Sequence, residues 1–67
     1  MRYRQCLLIK GITQQMAWIP EKFAEVGKYV RLHDDDGWRI EQAYMSAPEE
    51  YVLAHRDDHR TAFPSLL

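Results

Sequence analysis

Sixty-seven residues with a formal net charge of −1 make one domain at most, with no general attraction to nucleic acid or membrane. A single cysteine, Cys6, excludes an internal disulfide and argues against an oxidising compartment, where small domains carry paired cysteines. Met1 to Gln5 lead into only four apolar residues, Cys6 to Ile9, too few for a signal peptide's apolar region or a membrane span. The expectation is a cytoplasmic domain without a membrane partner.

The charge is unevenly spread. Residues 1–31 hold Arg2, Arg4, Lys10, Lys22, Lys28 and Arg31 against Glu21 and Glu25, a balance of +4, whereas residues 32–67 balance at −5. Such a split suggests two differently charged faces or pairing between the halves, but a solvated mixed surface is the first expectation.

In chain order, Tyr3 to Ile9 is rich in strand formers and predicts a first strand. Lys10-Gly11 supplies a turn, because glycine accepts the positive φ of a tight hairpin. Ile12 to Ile19 returns as a second strand that Pro20 ends, lacking a backbone donor. Glu21 to Val26 starts after proline and stops at Gly27, which fits a single turn or a 3₁₀ segment with Phe23 and Val26 inward. Lys28 to His33 alternates, with Val30 and Leu32 on one side and Tyr29, Arg31 and His33 on the other. Asp34-Asp35-Asp36-Gly37 has turn chemistry. Trp38 to Tyr44 alternates again, setting Trp38, Ile40 and Tyr44 against Arg39, Glu41 and Ala43. The segment from Gly27 to Tyr44 is therefore predicted as the central hairpin.

After it the period changes. Ser46-Ala47-Pro48-Glu49 has the spacing of a helix capping box, which predicts a helix over about 47–60. Thr61 to Leu67 forms an apolar tail broken by Pro64. The expected fold is mainly β: a small SH3-like, partly open antiparallel barrel over residues 1–60, including one C-terminal helix, with 61–67 as a tail. An α+β sheet with one packed helix is the alternative. The expected core is Leu7, Ile9, Trp18, Phe23, Val26, Val30, Leu32, Trp38, Ile40 and Val52.

The strings Met16-Ala-Trp-Ile-Pro-Glu-Lys-Phe-Ala24, Val26-Gly-Lys28, Asp36-Gly-Trp38 and Glu49-Glu-Tyr-Val-Leu53 together resemble small uncharacterised proteins of tailed bacteriophages in order and spacing. The similarity covers roughly residues 6 to 56. It implies a phage origin, a small barrel, and a place in the host cytoplasm or, alternatively, the virion. It implies no activity and no cofactor.

No catalytic constellation stands out. Cys6 sits mid-strand beside Leu7 and Leu8, the setting of a small buried hydrophobe, and Ser46 reads as a helix cap. His55 and His59, at helical i, i+4 spacing, supply only two metal ligands, and Asp34 to Gly37 lacks the ligand spacing of a calcium loop. The reading is a non-enzymatic protein without metal or cofactor. Its binding candidates are Tyr29, Arg31, Arg39 and Glu41 on the outer face of the central hairpin, Tyr44 beyond them, and Phe63, Leu66 and Leu67 in the tail. Tyr3 joins Tyr29 and Tyr44 as a partly exposed aromatic. A protein partner, of the host or the phage, is the first expectation, and pairing with a second copy is a further route to stability for so short a chain. Nucleic acid is the alternative, because aromatic rings flanked by cations hold single strands on small barrels. The aspartates at the hairpin tip oppose a phosphate backbone there.

Overall fold

Two tight turns create the hairpins from which the barrel is built. The computed structural model describes residues 1–54 and 60–65. Strand β1 (Arg2–Lys10) turns at Gly11-Ile12, with Gly11 at φ 63°, into β2 (Thr13–Pro20). Their antiparallel register runs unbroken from Lys10 opposite Thr13 to Tyr3 opposite Pro20. A 3₁₀ turn at Glu21–Phe23 then leads to β3 (Tyr29–Leu32) and the long β4 (Asp35–Pro48). Helix α1 (Glu49–Ala54) and β5 (Arg60–Pro64) complete the described elements.

The chain is mainly β and closes as a five-stranded barrel in the order β1-β2-β5-β3-β4, with β4 returning to β1. It is consistent with a small SH3-like barrel, closed where a partly open one was expected. Strand β5 closes it, antiparallel to β3 and parallel to β2. Residues 61–64 are thus part of the wall, a correction to their reading as a tail beyond the domain. Ala62 explains it: this small side chain is fully buried in the barrel interior, opposite Leu32.

The central hairpin forms with its turn shifted. His33 and Asp34 make the loop, with His33 at φ 57°, while Asp35, Asp36 and Gly37 already belong to β4. Histidine is among the residues that enter the left-handed region more readily than most. Gly37, at φ 88°, serves a bulge instead: Asp36 and Gly37 together lie opposite Arg31, between the Val30–Trp38 and Leu32–Asp35 pairs. Two further irregularities lie in the ladder between β4 and β1. Glu41 has no opposite residue between the Leu7–Gln42 and Leu8–Ile40 pairs, and Tyr44 and Met45 oppose Gln5 alone. A one-residue offset flips every side chain beyond it. Hence Ala43 packs against the interior, and Tyr44, expected to share a side with Trp38 and Ile40, is exposed.

Beta bulges let β4 bend enough to serve β3 with its first half and β1 with its second. It continues through Ser46-Ala47-Pro48, so those residues are strand and not a capping box. The Ser46 hydroxyl donates to a carboxylate oxygen of Glu21 and accepts from Arg2 Nε at 3.1 Å, which ties β4 to the 3₁₀ turn. The helix expected over 47–60 is described only as Glu49–Ala54. Residues 55–59, with His55 and His59, lie outside the described residues.

Apolar side chains fill both sides of the β1–β2 sheet. The interior holds Cys6, Leu8, Ala17, Ile19, Val30, Leu32, Trp38, Ile40 and Ala62. Trp18 lies between Ala17 and Ile19, so it points outward, where it joins Tyr3, Ala47 and Val52 of α1 in a second cluster. Tyr51 meets the Trp18 ring edge-on at 6.0 Å between centroids. Tyr3, expected as a partly exposed aromatic, is buried here. In β1 the interior residues are Cys6 and Leu8, not Leu7 and Ile9, which are only half-buried. Phe23 and Val26, expected inward, are 38% and 57% exposed: no residue of the 3₁₀ turn is buried, and Val26 lies in the connection beyond it.

Candidate functional site

The outer face of β5–β3–β4 collects most of the predicted binding residues. Alternation along β3 buries Val30 and Leu32 and turns Tyr29 and Arg31 outward. Strand pairing then sets their neighbours: Arg39 of β4 lies opposite Tyr29, and Phe63 of β5 lies opposite Arg31. Tyr29 is 57% exposed and Phe63 50%. Tyr44 does not join this face, since the irregularities in β4 separate it, and its carbonyl accepts a bond from the Arg4 guanidinium at 2.9 Å. Leu66 and Leu67 lie outside the described residues.

Electrostatics on this face are largely self-contained. Arg39 pairs with Glu41 at 2.6 Å, two positions along the same strand. Arg31 donates from Nε to the His33 carbonyl at 3.1 Å and lies 3.8 Å from the Asp34 carboxylate. At the tip of the hairpin, Lys10 of β1 pairs with Asp35 and donates to the Asp36 carbonyl at 2.7 Å. Asp35 also accepts from Trp38 Nε1 at 3.2 Å. The Lys10 hydrogen bond, joined by its charge and the indole bond, holds the Asp35 carboxyl below the usual range. Asp36 accepts from the Gly37 amide at 3.1 Å and from the Ser65 hydroxyl at 2.5 Å, which fastens the end of β5 to the tip.

Tyr29 stands on a ridge with Pro64, and a depression lies on either side. One, of about 420 Å³, is lined by Tyr29, Gly37, Pro64 and Ser65. The other, of about 160 Å³, lies against the 3₁₀ turn and is lined by Lys22, Phe23, Glu25, Lys28, Tyr29, Val30 and Pro64. Here Lys22 Nζ sits 5.1 Å from the centre of the Phe23 ring. The sequence does not announce this second depression, because Phe23 reads there as a core residue.

Cys6 offers no reactive group, because burial pushes its thiol up to about 11 and keeps it protonated at neutral pH. Among the described residues no three His, Cys, Asp or Glu side chains are grouped to hold a metal, and no helix is long and apolar enough to cross a membrane. No protein family, curated protein or solved structure matches the chain.

Proposed function

We propose that this protein is a non-enzymatic binding module that acts by protein–protein interaction through the outer face of β5–β3–β4. One observation supports this above all: Tyr29 and Phe63 stand open on that face while Arg31 and Arg39 lie beside carboxylates. Exposed aromatic side chains supply the large, rigid contact area that dominates protein interfaces. Arginines already facing a carboxylate have less charge left for phosphate, and binding a polyanion requires those pairs to break. The resemblance to tailed-phage proteins makes this an accessory protein whose partner is a host factor or a virion component.

The test is a pull-down with the immobilised full chain from bacterial host lysate and from disrupted virions. A partner is expected to be retained by the wild-type protein and lost with Phe63→Ala and Tyr29→Ala. Both positions are half-exposed, so circular dichroism should show the variants folded. The result against the proposal is binding to generic DNA or RNA that weakens steeply with salt and disappears in Tyr29→Ala or Arg31→Ala.

A further inference from the structure

We infer that the depression between the 3₁₀ turn and the Tyr29–Pro64 ridge receives one apolar side chain of an extended partner segment, whose flanking carboxylates pair with Lys22 and Lys28. This rests on the proposal that the protein works by binding another protein, and it names the chemistry of that partner.

Size and lining set the first half. At about 160 Å³ the depression falls well below the roughly 300–1,000 Å³ of small-molecule sites, and its walls are the rings of Phe23 and Tyr29 with Val30 and Pro64. That space suits a single apolar side chain. The ridge formed by Tyr29 and Pro64 also borders the depression beside Gly37 and Ser65, so a chain crossing the ridge continues along the surface on its far side. An extended segment has this reach, with side chains alternating between wall and solvent.

Charge sets the second half. Among the described residues, Arg2, Lys10, Arg31 and Arg39 have carboxylate partners, and Arg4 bonds to a carbonyl. Lys22 and Lys28 have neither, although both line the depression. Lys22 rests over the Phe23 ring instead, and that contact leaves its ammonium free to meet an incoming carboxylate. Glu25 offsets one of the two lysines, so the rim keeps a single excess positive charge. Such a rim selects an acidic segment over a basic one and sets on-rate and salt dependence more than total affinity. A polyanionic nucleic acid is the less favoured occupant, since the cations beside the hairpin tip, Arg31 and Lys10, already face Asp34 and Asp35, and Asp36 adds a further negative charge there.

A surface-displayed library of random short peptides, selected against the full chain at low salt, tests this. The expected outcome is a consensus with an apolar residue beside Asp or Glu. Its binding should fall by about tenfold or more in Tyr29→Ala, in Phe23→Ala, and in the double variant Lys22→Glu, Lys28→Glu. A basic or uncharged consensus, the absence of a consensus, or acidic peptides that still bind the double variant would each overturn the inference. The pull-down separates this from the broader proposal. A captured partner that is lost with Tyr29→Ala yet kept by the lysine double variant leaves the binding module standing and removes the acidic segment. Capture of no partner together with salt-sensitive nucleic-acid binding removes both.

Discussion

The two apolar clusters on opposite sides of the β1–β2 sheet are built to different standards. The interior is enclosed by five strands, and Cys6, Leu8, Ala17, Ile19, Ile40 and Ala62 within it are wholly buried. The outer cluster of Tyr3, Trp18, Ala47 and Val52 is covered by the six residues of α1, whose Tyr51 and Leu53 remain 41% and 55% exposed. So short a helix has almost no stability of its own, and packing must hold it in place. The difference teaches that closure of the barrel and attachment of the helix are separable. The interior should decide whether the chain folds, and the outer cluster whether α1 is fixed to the barrel.

The largest effect expected is in the interior. Ile40 is fully buried and faces Leu8 across the β1–β4 ladder. Ile40→Ala should cost roughly 2–5 kcal/mol, and a domain of this length has only roughly 3–10 kcal/mol to lose. Urea denaturation should therefore find the variant partly or wholly unfolded at 25 °C. Ile40→Val, at roughly 0.5–1.5 kcal/mol, keeps the measurement on scale if alanine abolishes folding. A fully stable Ile40→Ala protein would mean that the interior is not the determinant of folding.

Cys6 gives a second view of the same interior. Its folded thiol titrates at about 11 against an ordinary 9.0, so the folded state holds its proton more tightly than the unfolded chain. The contribution is fully present below pH 9 and is lost as pH rises toward 11, a difference of about 3 kcal/mol at most. Wild-type stability should drop across that range more than that of Cys6→Ala. Thiol reagents should react with native protein only at the rate of opening.

In the outer cluster, Val52→Ala removes two buried methyl groups and should cost roughly 1–2 kcal/mol. The consequence should be local. Hydrogen exchange is expected to rise in α1 while the amides of β1 and β4 stay protected. Equal loss of protection in both places would show the two clusters to be one cooperative unit.

Much of the interior was legible from period-two alternation alone: Val30, Leu32, Trp38 and Ile40 were all identified from the hairpin. The first strand was not, because Cys6-Leu7-Leu8-Ile9 is apolar throughout and carries no phase. Only pairing of Leu8 with Ile40 chooses the inward face. Closure by β5 was illegible for another reason. Arg60–Pro64 is short, holds Ala62 and ends in a proline, and it is held by long-range pairing with β3 and β2. The outward placement of Tyr29, Arg31, Arg39 and Glu41 follows directly from alternation, whereas Tyr44, exposed as expected of it, leaves the side of Trp38 and Ile40 through irregularities that no local composition announces. Phe23 shows the same weakness: an aromatic after a proline suggests burial, yet the 3₁₀ turn leaves it at the surface.

The smallest effect is expected at the exposed end of the interior, where Trp38 meets the hairpin tip. Its indole donates to Asp35, which also pairs with Lys10. The Asp35 carboxyl is held below its ordinary 3.8 mainly by that lysine, so the folded state favours the ionised form. The sign is opposite to that of Cys6. Stability from this group is present above pH 4 and is lost as pH falls through the depressed value. Asp35→Asn should flatten the acid limb of the stability curve slightly and leave neutral stability little changed, because the pair is open to water. NMR titration of the carboxyl carbon checks the direction. An Asp35 midpoint at or above the ordinary value would mean that Lys10 does not hold the tip, and the end of the interior would then rest on the Trp38 ring and the fastening of Ser65 to Asp36.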